Sequence, residues 1–166
     1  MDAFKAGKLA LAIALTGVLA GPAFAATSND FVDAAASGGI TEVEAGKLAL
    51  EKSTSADVKT FANQMIKDHG AANDKLTALA TKLDIEVPDS ATLTQQAKQK
   101  VLEMRDESFD KAYAANQVKA HEDTVALFKK EAASSDKPEL KAFAEKTLPT
   151  LEEHLKMAKA LQAKHM

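Results

Sequence analysis

After Ala26 the apolar positions of this chain recur at helical spacing, in segments separated by short polar turns. The first segment runs from about Asn29 to Lys52, with Phe31, Ala35, Val43, Gly46 and Leu50 among its apolar or small positions. Within it, Gly38-Gly39 either breaks the helix in two or permits a neighbouring helix to come close. A second helix, with Ser55 at its N-cap, carries the clearest pattern: Val58, Met65, Ala72 and Leu79 form one heptad row, and Ala62, His69, Leu76 and Leu83 the other. It ends near Asp84, before Pro88. The connection from Ile85 to Arg105 holds a short helix over about Thr92 to Met104. A third long helix covers about Asp106 to Ala133, with Phe109, Ala114, Val118, His121, Val125 and Phe128 on or beside its apolar face. The fourth has Asp136 as its expected N-cap, Pro138 in the first turn and Glu139 in the capping-box position. It runs through Leu140, Ala144, Thr147, Leu151, Leu155 and Leu161, and Pro149 inside it should introduce a kink. No alternating period-two run of useful length is present, so no sheet is expected.

The opening of the second helix, Val58-Lys59-Thr60-Phe61-Ala62, is echoed by Leu140-Lys141-Ala142-Phe143-Ala144 at the opening of the fourth, and each follows a Ser-containing turn. The chain therefore reads as two helical hairpins joined by a connection of about twenty residues, long for adjacent antiparallel helices. Such a length suits a crossover along a bundle. The expected fold is all-α: a ferritin-like four-helix bundle with a crossover segment, containing a short helix, between helices 2 and 3.

The start of the chain has a different pattern. Lys5 and Lys8 precede an apolar run from Leu9 to Ala20, followed by Gly21-Pro22 and the small-residue stretch Ala23-Phe24-Ala25. This is the order of a secretory signal peptide, and the run is too short to span a bilayer core. Residues 1–25 are expected to be the signal, cut between Ala25 and Ala26. Residues 26–166 then form one domain, periplasmic or secreted. The formal charge of −3 gives no electrostatic footprint for nucleic acid. With no cysteine there is neither a disulfide framework nor a lipid-modified N-terminal cysteine, and no later stretch could form a transmembrane segment. A homodimer and an envelope partner of unknown kind both stay open.

Chemistry enters through four ionisable residues. In an antiparallel hairpin two residues are level when the midpoint of their numbers falls at the turn. Glu42 and His69 satisfy this about Ser55, and His121 and His154 about Lys137. With the turns at opposite ends, as a crossover requires, all four share one level. His69 lies in a heptad row, and His154 falls in the row Leu140, Thr147, His154, Leu161. Three imidazoles and a carboxylate converging from four helices would bind a divalent transition metal such as zinc or iron. Asp68 and Glu153, each beside a histidine in sequence, together with Asp110 and Tyr113, are candidates to support those ligands. A Glu-x-x-His pattern is missing, because Ile66, Val118 and Leu151 precede the three histidines by three, and this argues against a di-iron oxidoreductase. The same spacing also suits a polar core layer that fixes helix register, with a structural, interaction or stress-related role in the envelope and no metal. No Gly-flanked nucleophilic serine or phosphate-cradling loop is present, and no catalytic residue is assigned.

Several stretches together resemble a known family: Phe31-Val32 with Ala34-Ala35-Ala36, Gly38-Gly39, Glu42-Val43, Val58-Lys59 with Phe61-Ala62, Asp68-His69, Phe109-Asp110 with Tyr113, His121-Glu122, and Leu148 to Leu155. In this order they resemble the exported bacterial ferritin-like family known as domain of unknown function number four-one-four-two. The resemblance covers nearly all of the chain after Ala26. It implies an exported bacterial protein with a ferritin-like helical bundle and supplies no reaction.

Overall fold

The computed structural model describes residues 27–166, so the expected signal segment 1–25 and the cut between Ala25 and Ala26 lie outside the described residues. The described chain is all-helical, with five helices: α1 (Asp30–Lys52), α2 (Ala56–Lys82), α3 (Leu93–Glu103), α4 (Phe109–Ser134) and α5 (Pro138–Lys164). No strand occurs among the described residues. A single isolated bridge joins Thr27 to Ile85, tying the approach to α1 against the end of α2.

The helix ends follow local chemistry. Asn29 caps α1 through its side-chain oxygen, which accepts from the Val32 N–H at 3.0 Å. Thr92 and Gln95 form a reciprocal capping box at the start of α3. At α5 the N-cap is Lys137 rather than Asp136, with Pro138 as the first helical residue. The Ser135 hydroxyl explains the shift, since it hydrogen-bonds Glu131 and the Lys137 backbone, extending the turn by one residue. Past α2 the chain turns through Asp84 at φ 52°, a left-handed conformation that Asp tolerates better than most residues. Both α1, through Gly38-Gly39, and α5, through Pro149, are continuous helices.

Paired contacts give the helix directions. Gly39 faces Asn73 and Gly46 faces Ile66, so a step of seven along α1 matches a step of seven back along α2. Lys129–Glu152 and Lys159–Glu122 ion pairs do the same for α4 and α5. Between the hairpins, Phe31 against Phe128 and Glu42 against Gln117 make α1 antiparallel to α4, and Asp57–His165 and Asp68–His154 make α2 antiparallel to α5. Every adjacent pair among the four long helices is therefore antiparallel. The glycines act by close approach: a Cβ on Gly39 would stand 2.1 Å from Asn73 Oδ1, and one on Gly46 would stand 2.7 Å from Ile66 Cγ1. The connection from α2 to α4 leaves beside Thr27, at the start of α1, and arrives where Lys52, at its end, meets Glu103 and Asp106. It therefore travels the length of α1, and α3 packs against α1 and α4 on the way.

The interior is layered. One apolar cluster, with Phe31, Val32, Leu76, Phe128, Leu140 and Leu151, fills the end near the start of α1. A second, with Ala49, Val58, Phe61, Met65, Phe109, Tyr113 and Leu161, fills the other end. The buried polar residues Glu42, His69, Gln117, His121 and His154 lie between them.

Candidate metal centre

Each residue of this polar layer comes from the middle of a long helix: Glu42 from α1, His69 from α2, Gln117 and His121 from α4, and His154 from α5. Heptad spacing turns these positions inward, and the antiparallel register sets them at one height. His69, His121 and His154 are 6%, 1% and 3% exposed. Their rings surround one point, with centroids 5.3–5.6 Å apart, and one ring nitrogen from each lies within 4.8 Å of the other two.

Neighbouring groups decide which nitrogens carry lone pairs. His121 Nδ1 donates to the Gln117 backbone carbonyl at 2.9 Å, leaving Nε2 as its acceptor nitrogen. His154 Nε2 donates to Asp68 Oδ2 at 2.9 Å, leaving Nδ1, which is buried with no hydrogen-bond partner among the described residues. His69 Nε2 stands 3.3 Å from His121 Nε2. Two nitrogens bound tetrahedrally to zinc at the usual 2.0–2.1 Å would be separated by roughly 3.3 Å, so the spacing fits a shared ion. The carboxylate–histidine pairing of Asp68 and His154 is the arrangement that orients a ligating imidazole and raises its basicity. A void of about 30 Å³ touches His69, on the scale of one water molecule.

The surroundings of His69 and His154 favour the neutral imidazole. Burial, then the charges His121 and His154 would carry, pushes His69 down to about 3. Burial also lowers His154 and outweighs the opposing hydrogen bond to Asp68. For Asp68, burial pushes upward, but hydrogen bonds from Gln64 and His154 prevail and hold the carboxyl below its usual range. Neutral imidazole is the form that binds a metal.

The other expected residues stand in several places. Glu42 is buried and level with the cluster, but it is outside the group of ligand atoms within 4.8 Å of one another. It faces Gln117 and is raised by burial against the opposing effects of His121 and Gln117. Tyr113 is fully buried two turns along α4 from His121, stacked on Phe109 and edge-on to Phe61. Burial and the Glu42 charge push its phenol up. Asp110 lies in the first turn of α4, with Oδ1 buried and without a hydrogen-bond partner among the described residues. Glu153 is exposed, 3.5 Å from Lys156. Two supporting groups were not singled out from the sequence: the Gln117 carbonyl, which fixes the His121 ring, and Gln64, which holds Asp68. Both lie four residues before the group they support, and that spacing is the signal that could have found them.

A family model described as "Domain of unknown function" matches residues 14–161. No curated protein matches the chain, and no solved structure does.

Proposed function

The chain belongs to the Domain of unknown function (DUF4142) family, and from that premise we propose that it is an exported ferritin-like four-helix-bundle protein that binds a divalent transition metal, zinc or iron. His69, His121 and His154 hold the ion, and Asp68 and the Gln117 carbonyl orient two of the rings. The observation that carries this reading is His154 Nδ1, whose lone pair is buried without a partner among the described residues while Nε2 is committed to Asp68. A purely structural polar layer accounts for the contact between His69 and His121, but it leaves that nitrogen orphaned, at a cost of about 1–3 kcal/mol. Three protein ligands leave room for a fourth, as in zinc sites open to solvent or substrate. The bundle reading rests on the four antiparallel long helices and the connection running the length of α1. The reading of export rests on the order of residues 1–25 and is tested by N-terminal sequencing of the periplasmic or secreted protein, which should begin at Ala26.

Metal content per chain, measured by mass spectrometry on protein purified from its native compartment, tests the site. Near-stoichiometric zinc or iron is expected in the wild type and little in His69→Ala or His121→Ala, with helical circular dichroism retained. Asp68→Asn should keep the site but weaken the ion by about 10–100-fold in a chelator competition. If the wild type and both alanine variants carry no metal and differ only in unfolding midpoint, the layer is a polar core and the metal reading fails.

A further inference from the structure

A cleft of about 510 Å³ opens between α1, α3 and α4, and no part of the histidine cluster lines it. Its volume falls within the usual range for small-molecule sites. Glu42, Tyr113 and Gln117 line its inner side, and Ala45, Leu102 and Leu127 supply apolar wall. The three polar residues are 5%, 0% and 2% exposed, yet each has an oxygen without a hydrogen-bond partner among the described residues: Glu42 Oε2, Tyr113 Oη and Gln117 Oε1. The register brings them together, because Glu42 is level with Gln117 and Tyr113 lies one turn away on the same face of α4. Native proteins rarely leave one buried polar atom unpaired, and here three gather beside one cavity.

The Glu42 and Gln117 oxygens lack a donor, the Tyr113 phenol lacks a partner of either kind, and among the described residues no cationic side chain hydrogen-bonds any of them. Of the lysines along the cleft, Lys119 is engaged by Asp123, and Lys98 is an exposed residue of α3. A ligand carboxylate would meet Glu42 at close range, whereas an ammonium would pair with it and donate to its neighbours. The α3 wall is secured by one buried side chain, Leu102, while Leu93, Val101 and Met104 of the same segment are exposed. We propose that this cleft binds a small organic cation, its ammonium head held by Glu42, Gln117 and Tyr113 and its apolar body lying against Leu102 and α3. A single inorganic ion would satisfy the oxygens but leave most of the volume unused.

The test is a nuclear magnetic resonance titration of isotopically labelled, chelator-treated protein, so that the outcome does not depend on an ion at the histidines. The probes are 2-phenylethylammonium, the similarly sized 3-phenylpropionate and 2-phenylethanol, and magnesium. Saturable shifts at the Gln117 side-chain amide and the Tyr113 backbone are expected for the ammonium, with the other two organic probes at least about tenfold weaker. Glu42→Gln keeps the shape and should weaken the ammonium by about tenfold or more, and Tyr113→Phe should weaken it less. The proposal is overturned if the three organic probes bind alike, if none saturates, if either well-folded Glu42→Gln or Tyr113→Phe protein binds the ammonium better than the wild type, if Glu42→Gln binds it unchanged, or if magnesium alone reproduces the shifts.

Discussion

The two ends of the interior and the layer between them are built on opposite terms. At the ends, Phe31 packs edge to face on Phe128 and Phe143, whose rings tilt against each other, and Phe109 stacks on Tyr113. Stability there comes from area removed from water, about 1.5–3 kcal/mol for each large side chain. In the middle, five buried polar residues displace apolar contacts, and their geometry is set by hydrogen bonds that fix ring orientation. The ends hold the helices together. The middle uses that rigidity to keep nitrogens in place.

The largest effect that would sharpen this contrast is truncation at an end. Phe128→Ala removes the partner of Phe31 and Phe143 and should cost about 3–5 kcal/mol in denaturant unfolding. Under folding conditions it should leave metal stoichiometry intact, and an equal loss of both would break the distinction. A smaller effect concerns pH. In the metal-free protein, burial and then the neighbouring imidazoles push His69 down to about 3, below its ordinary value of 6.5. The unfolded chain therefore binds the proton first, and stability is lost as pH falls from about 6.5 towards 3. His154, which faces His69, and Asp68, which hydrogen-bonds His154, are both lowered and contribute with the same sign, whereas Glu42, raised by burial, opposes it over its own range. Unfolding followed from pH 7 to 4 should show the decline, and His69→Leu should flatten it. The smallest effect separates two glycines of α1. Gly46→Ala meets Ile66 Cγ1 at 2.7 Å and should destabilise by about 1–3 kcal/mol. Gly38→Ala meets nothing within 4 Å and should stabilise by about 0.4–1 kcal/mol, readable as opposite shifts in thermal midpoint.

Much of the helical layout was legible because periodicity and caps are local signals. Ser55 stands as the expected N-cap of α2, and Asn29 and Thr92, read only as approximate helix starts, are the N-caps of α1 and α3. The start of α5 was less legible, since the hydrogen bonds of Ser135 decide it and two capping signals compete there. At the candidate site, heptad rows and hairpin midpoints carry information about height and inward direction, which is why His69, His121 and His154 could be named together. They carry little about azimuth. Glu42 shares the level but turns towards Gln117 and Tyr113, a choice made by the packing of α1 on α4. Asp68 projects about 100° around α2 from His69, and only the path of α5 across that face gives it His154 as a partner.

The antiparallel arrangement of every adjacent pair among the four long helices also governs the field inside the molecule. Each helix carries partial positive charge at its N-terminus and partial negative charge at its C-terminus, and these influences fade within a turn of the ends. Neighbouring macrodipoles run in opposition and largely cancel. His69 sits at the midpoint of α2, roughly 20 Å from either end. An ion at that height would therefore feel almost no axial field from the backbone. Its affinity and redox character would be set by nearby side chains, above all Asp68 and Glu42, so a single carboxylate substitution can retune the centre without disturbing the helices that carry it.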